Sequence, residues 1–191
     1  MPLSLPIEPE ATKLLYANPL ALLTGMLLDQ QQAMEKAFSG PYVLKQRLGR
    51  DLDAHDIAAQ DLEALEDIFA KPPALHRFPR AFAKRMHEMC VILVEQYEGD
   101  AAKLWKEATD GKDAVARIGK LPGFGKQKSQ IFVALLGKQF GVKLKGWRQA
   151  TGVYGEEGAL RSVADITDEG SLAQVREYKK QLKAAAKAAG A

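Results

Sequence analysis

A glycine-rich turn at residues 121–128 is the part of this sequence whose residue types most clearly suggest chemistry. Two glycines separated by one residue let a backbone bend tightly and come close to an anion. Helical spacing precedes and follows the turn, so its amides lie where a helix begins, and a helix dipole favours negative charge there. We therefore expect a phosphate contact from Leu121, Pro122, Gly123, Phe124, Gly125, Lys126 and Lys128.

The charge around this turn is one-sided. From Ala114 to Tyr154 the chain has no Asp or Glu, although the net charge of the whole sequence is only +3. The same stretch carries eight cations, which are Arg117, Lys120, Lys126, Lys128, Lys138, Lys143, Lys145 and Arg148. A phosphate-binding turn inside an acid-free basic segment predicts contact with a nucleic-acid backbone.

Composition excludes several other classes of protein. Cys90 is the only cysteine, which rules out an internal disulfide framework, a cysteine-ligated zinc site and a cysteine-held iron–sulfur cluster. The three histidines have no ligand spacing, so we expect neither a metal nor a cofactor. No apolar run is long enough to span a bilayer, and the first residues lack the pattern of a secretion signal. We expect a cytoplasmic monomer that does not bind a membrane. If the protein is bacterial, we expect it to be associated with the nucleoid.

Apolar residues recur at helical spacing, whereas strand-like alternation is hard to find. The sequence predicts an all-α fold of nine or ten helices, in one domain or two small lobes sharing a core. The helices are expected over 8–17, 19–40, 42–48, 53–59, 61–70, 79–97, 100–109, 113–119, 126–140 and 171–189. Residues 141–161 contain five glycines and are expected to be irregular.

Three motifs resemble segments of the helix-hairpin-helix superfamily of base-excision DNA glycosylases. The turn at 121–125, between a short and a longer helix, resembles the hairpin. Residues Leu27 to Gln32 resemble the Leu-x-Gln-Gln segment of that superfamily, placed here on an apolar helix. Residues 78–85 resemble the aromatic and basic start of the helix before the hairpin. The order and spacing of the motifs fit across about 20–140.

This resemblance implies a two-lobed helical fold, with the hairpin at about 113–136, and an enzyme that cuts the N-glycosidic bond of a damaged or mispaired base in double-stranded DNA. The base is rotated out into a pocket between the lobes. Gln30 and Gln31 belong to the lesion pocket or fill the vacated stack, and Gln31 matches the stack-filling glutamine best. Gln127 occupies the position of the lysine that gives some members lyase activity. Since an amide cannot form an imine, the resemblance implies a monofunctional enzyme.

The family's catalytic Asp is harder to place, because the region where it is expected, near 147–152, contains no acid. If 141–161 is an insertion, Asp165 takes the role of stabilising the sugar cation or orienting water. If it is not, Asp29 beside the glutamines is the other candidate. Two alternatives stay open: a catalytically inactive DNA-binding or damage-sensing protein of the same fold, and an all-α protein whose hairpin binds a protein partner.

Overall fold

The computed structural model describes residues 5–189, and the described residues are helical, with no strand among them. The prediction of an all-α fold is confirmed. The α-helices are α1 (Pro9–Ala17), α2 (Pro19–Leu28), α3 (Met34–Leu48), α4 (Ala54–Ala58), α5 (Leu62–Ala70), α6 (Pro79–Tyr97), α7 (Lys103–Lys106), α8 (Gly111–Gly119), α9 (Lys126–Gln139), α10 (Trp147–Ala150) and α11 (Glu169–Ala189), with short 3-10 helices at Gly152–Tyr154 and Val163–Asp165.

The chain divides into two compact units. The N-terminal unit comprises 6–108 and 117–125, and the C-terminal unit comprises 109–116 and the described residues from 126 onward, together with Leu5. Each unit has its own buried apolar side chains. The hairpin turn belongs to the N-terminal unit, and helix α9, which follows it, belongs to the C-terminal unit.

Helix α2 forms the centre of the N-terminal unit, with every residue from Leu20 to Leu28 buried. The Asn18 side chain caps this helix by accepting hydrogen bonds from the backbone N–H groups of Leu20 and Ala21, at 2.9 and 3.1 Å. Such a cap satisfies amides that have no partner within the helix. Helix α6 also packs in this unit and buries an apolar stripe at Phe82, Met86, Met89, Cys90 and Leu93.

The prediction of one helix over 19–40 and another over 42–48 is wrong. Helix α2 ends at Leu28, and α3 runs from Met34 through Pro41 to Leu48. Gly40 does not end the helix. It lies inside α3, where a Cβ atom would collide with the Leu28 side chain. The glycine lets the two helices approach closely, and the chain turns between them at residues 29–33.

Other boundaries follow the predictions more closely. Asp53 and Asp61 cap α4 and α5 through bonds from Asp56 N–H and Ala64 N–H, at 3.1 and 2.9 Å. The helix expected over 100–109 contracts to Lys103–Lys106. Residues 141–161, expected to be irregular, contain α10 and the 3-10 helix Gly152–Tyr154.

Trp147 anchors the 141–161 region within the C-terminal unit. Its side chain is buried, and it lies so close to Gly137 of α9 that a Cβ there would come within 2.7 Å of the indole. A Cβ at Gly111 would come within 2.4 Å of the Trp147 Cα. Burial of the indole assigns Trp147 to packing rather than to an exposed stacking surface.

Candidate nucleic-acid interface

The hairpin turn is built by short-range hydrogen bonds and two buried side chains. The Phe124 N–H donates to the Leu121 carbonyl at 3.0 Å, and the Leu121 N–H donates to the Ile118 carbonyl at 3.0 Å. Leu121 and Phe124 are buried, so their side chains fix the turn from inside. The expected phosphate contact at these two residues is therefore limited to main-chain atoms.

The two hairpin glycines have different reasons to be glycine. Gly123 has φ +82°, and a Cβ atom there would lie 2.6 Å from the Leu27 side chain and 3.3 Å from that of Arg85. Gly125 has no positive φ, and a Cβ atom there would meet nothing within 4 Å. The fold of the chain requires glycine at 123, whereas at 125 the absent side chain leaves open space beside the backbone. Open space at a glycine permits close approach of a ligand.

The glutamine segment, residues 29–33, lies beyond the end of α2 rather than on it. Gln31 has φ +54° and is exposed. A residue with a side chain in this left-handed conformation costs about 1–2 kcal/mol. The residues on either side of Gln31 are both hydrogen-bonded to the Leu28 carbonyl, Gln30 through its N–H at 2.7 Å and Gln32 through Nε2 at 2.9 Å. Such strain persists where the surroundings determine the backbone, and it concentrates at functional sites.

The structure brings the hairpin and the glutamine segment together within the N-terminal unit. Leu27, whose side chain faces Gly123, lies at the end of α2, two residues before Asp29. Arg85, the other neighbour of Gly123, reaches the Gln30 side chain through Nη1 and Oε1 at 3.4 Å. The hairpin and the glutamine segment, almost a hundred residues apart in sequence, therefore both contact Arg85.

An aromatic and basic cluster completes this surface, and the sequence did not single out its central residue. His76 is buried and stacks on Phe82, with ring centroids 3.6 Å apart. The guanidinium of Arg85 lies 4.7 Å from the centre of the Phe82 ring. These residues line a cavity of about 180 Å³, together with Gln30, Gln31, Phe78 and Ala81. The signal for His76 is present only in the fold, since its bonding partner is a backbone carbonyl 46 residues away.

Helix α9 presents the polar residues that follow the turn. Lys126 and Gln127 are exposed, and Lys128 is half-buried. Gln127 Nε2 donates to the Tyr154 hydroxyl at 2.7 Å. At the position that the resemblance equates with the lysine of lyase-active glycosylases, the chain has a neutral amide paired with a phenol.

Asp165 is built into the C-terminal unit. Its carboxylate accepts from the backbone N–H groups of Arg161 and Ser162, at 2.9 and 3.0 Å, and forms an ion pair with Lys138 at 2.5 Å. It completes a capping box with Ser162, and only 2% of its side chain is exposed. Lys138 follows Gln127 by eleven residues along α9, a separation of about 16 Å at 1.5 Å per residue. The carboxylate thus lies near the end of α9 opposite to the one that follows the hairpin.

The other predicted carboxylate, Asp29, forms the C-cap of α2 and is half-buried. Its N–H donates to the Gly25 carbonyl at 3.1 Å. It directly precedes Gln30, in the unit that contains the hairpin. Asp29 therefore shares a unit with the hairpin turn, whereas Asp165 belongs to the C-terminal unit.

The described residues offer little other reactive chemistry. Burial raises the pKa of the Cys90 thiol, which disfavours the nucleophilic thiolate. Between residues 5 and 189, no three His, Cys, Asp or Glu side chains are grouped so that they could hold a metal ion. In the same range, no single helix has both the length and the apolar composition needed to cross a membrane.

Comparison of the chain with protein-family models, with curated proteins and with solved structures finds no match. The resemblance to helix-hairpin-helix glycosylases accordingly rests on the three motifs.

Proposed function

We propose that this protein binds duplex DNA through the hairpin and the glutamine segment, and that it is a monofunctional DNA glycosylase. The contact between Gly123 and Leu27 carries this proposal, because it joins a backbone-gripping turn to a segment suited to enter the base stack. A single DNA site can engage both features only if they lie side by side.

The proposal gives each part of the surface a role. The turn and Lys126 supply amides and positive charge for the phosphates, without sequence readout. Gln31 projects an amide from a strained backbone. An amide offers both a donor and an acceptor to a base that has lost its partner. Opening the stack costs least at a damaged or mismatched pair, which favours such sites.

Hydrolysis of the N-glycosidic bond builds positive charge on the sugar, and a carboxylate stabilises that charge. We propose Asp29 for this role because it adjoins the glutamines in the unit that contains the hairpin, whereas Asp165 belongs to the C-terminal unit. No lysine stands at position 127, so we propose that the product is an intact strand with an abasic site.

Gly125→Ala tests the DNA contact with little risk to the fold. A methyl group at 125 would meet no protein atom within 4 Å, but it would hold a phosphate away from the backbone. We expect about a tenfold loss of duplex affinity, equal to about 1.4 kcal/mol, and wild-type thermal stability. Fluorescence anisotropy of a labelled duplex over a range of salt concentrations measures the affinity.

Gly170→Ala is the matched control. Gly170 is also exposed and has no positive φ, but it lies in α11, for which we propose no DNA contact. Unchanged affinity of the Gly125→Ala variant, with binding of the wild type intact, would contradict the hairpin contact.

A base-release assay tests the enzymatic part. Duplexes containing uracil, mismatched thymine, an alkylated purine or oxidised guanine are incubated with the protein, and abasic products are cleaved with alkali. We expect release from at least one substrate, its loss in Asp29→Asn, and no strand cleavage without alkali. Loss in a folded Asp165→Asn variant, with Asp29→Asn active, would transfer the role to Asp165, as the sequence predicts.

The bonding of the Asp165 carboxylate favours a second function. Its oxygens are held by Lys138 and by the N–H groups of Arg161 and Ser162, which suits a structural role for the carboxylate and a protein that does not cleave the glycosidic bond. The second proposal is a damage-sensing protein that binds without cutting. It predicts tight, salt-dependent binding to a mismatched duplex and no base release from any substrate of the panel.

A further inference from the structure

We infer that His76 is a positioning residue, which holds Gln31 in its projecting conformation through one hydrogen bond to the preceding peptide. The inference rests on the proposed function, because it assigns that bond a part in how the glutamine enters DNA. It concerns a buried residue outside the three motifs.

The hydrogen bonds of His76 fix which ring nitrogen carries the proton. Phe78 N–H donates to Nδ1 at 3.1 Å, so Nδ1 acts as the acceptor. A neutral imidazole then carries its proton on Nε2, and Nε2 lies 2.6 Å from the Gln30 carbonyl. His76 is thus a donor to Gln30 and an acceptor from Phe78.

The ring has little freedom to leave this position. Its exposure is 1%, and it stacks on Phe82 at 3.6 Å with an interplanar angle of 28°. His76 itself lies in the bend before α6, and its ring rests on Phe82, which belongs to that helix. A rigid support of this kind fixes the orientation of a functional group.

The bonded carbonyl belongs to the peptide that joins Gln30 to Gln31. Fixing that peptide restricts the backbone of Gln31 at the residue whose φ is +54°. On the other side, Gln32 Nε2 is bonded to Leu28. Gln31 therefore stands between two anchored neighbours, and removing the His76 donor would let it relax toward a negative φ.

Two substitutions separate the two bonds of the ring. His76→Gln places an amide N–H where it can replace Nε2 and reach the Gln30 carbonyl. His76→Asn places an amide oxygen where it can replace Nδ1 and accept from Phe78 N–H, but its amide nitrogen is too short to reach Gln30. If the hydrogen bond donated to the Gln30 carbonyl positions Gln31, the His76→Gln variant keeps that role and the His76→Asn variant loses it.

The readout is a duplex with 2-aminopurine beside a mismatch, whose fluorescence rises when the base unstacks. We expect His76→Asn to lower the fluorescence response about tenfold, since one buried hydrogen bond is worth about that factor in an equilibrium. Gln31→Ala should lower it similarly, and His76→Gln should restore most of it. Duplex affinity measured by anisotropy should change less than the fluorescence, because the hairpin contact is unaffected.

Nitrogen NMR of the protein without DNA keeps this test separate from the proposed function. It should show Nε2 protonated and Nδ1 unprotonated, and His76→Asn should shift the amide signals of residues 30–32 more than His76→Gln does. The positioning role would be overturned if His76→Asn and His76→Gln lost the 2-aminopurine fluorescence response equally, in proportion to the fraction of unfolded protein. If the wild type does not bind DNA while the NMR pattern holds, the proposed function fails and the positioning of Gln31 stands.

Discussion

The glutamine segment and residues 161–165, which we call the Asp165 turn, use polar side chains differently. Each is a short stretch outside the α-helices with several polar side chains. At the Asp165 turn the carboxylate accepts from backbone N–H groups of its own segment and from Lys138, and its side chain is 2% exposed. In the glutamine segment the hydrogen bonds fix the backbone around Gln31, which is itself exposed.

The difference distinguishes a polar side chain that stabilises the fold from one that is exposed to a ligand. Buried polar groups are satisfied by bonds within the fold, which is the ordinary requirement for stability. Outside a helix cap such as Glu98, a strained residue with an exposed side chain costs stability, and such strain concentrates at functional sites. This criterion favours our proposal that the glutamine segment, rather than Asp165, takes part in binding.

Asp165→Asn would give the largest expected effect and tests the structural side of the comparison. Removing one member of a buried ion pair costs about 3–5 kcal/mol, which corresponds to a fall in Tm of about 10 °C for a chain of this size. Differential scanning calorimetry measures the change. Glu157→Gln is the control because Glu157 is exposed in the same unit. A Tm within about 2 °C of the wild type would show that Asp165 is not a structural anchor.

Gly123→Ala ranks second and sharpens the contrast within the hairpin. The positive φ and the close approach of Leu27 should together cost about 1–3 kcal/mol of unfolding free energy. Gly125→Ala should stay within about 0.5 kcal/mol of the wild type. Urea denaturation monitored by circular dichroism compares the two variants, and equal losses would remove the distinction between the glycines.

Gln31→Gly has the smallest effect, and its sign is opposite. Glycine adopts a positive φ without the steric penalty, so relief of strain less the entropy of glycine should stabilise the fold by about 0.5–1 kcal/mol. Glu98→Gly is the matched control, because Glu98 has φ +55° at the end of α6. Gln31→Gly should raise the stability of the fold and abolish the rise in 2-aminopurine fluorescence on binding. Gln31→Gly destabilising the fold would show that Gln31 is there for stability.

Sequence patterns anticipated the features that depend on neighbouring residues. The helices predicted over 53–59, 61–70 and 79–97 correspond to α4, α5 and α6, because the caps at Asp53 and Asp61 and the apolar stripe of α6 follow from local spacing. Each of these features is determined within a few residues of the chain.

The features that the sequence missed depend on distant partners. The end of α2 at Leu28 falls in a run whose spacing favours a continuing helix, and the bond from His76 to Gln30 crosses 46 residues. The ion pair between Asp165 and Lys138 spans 27 residues. The pairing of Gln127 with Tyr154 is equally remote. Periodicity carries no information about such pairs.

The two tryptophans give the molecule a built-in optical readout. Trp105 belongs to the N-terminal unit and Trp147 to the C-terminal unit, and both indoles are buried. Replacing either one with phenylalanine leaves a single emitter, so each half of the protein can be followed separately during denaturation. Coincident melting curves from the two single-tryptophan proteins would identify one cooperative transition, and separated curves would identify which half is lost first.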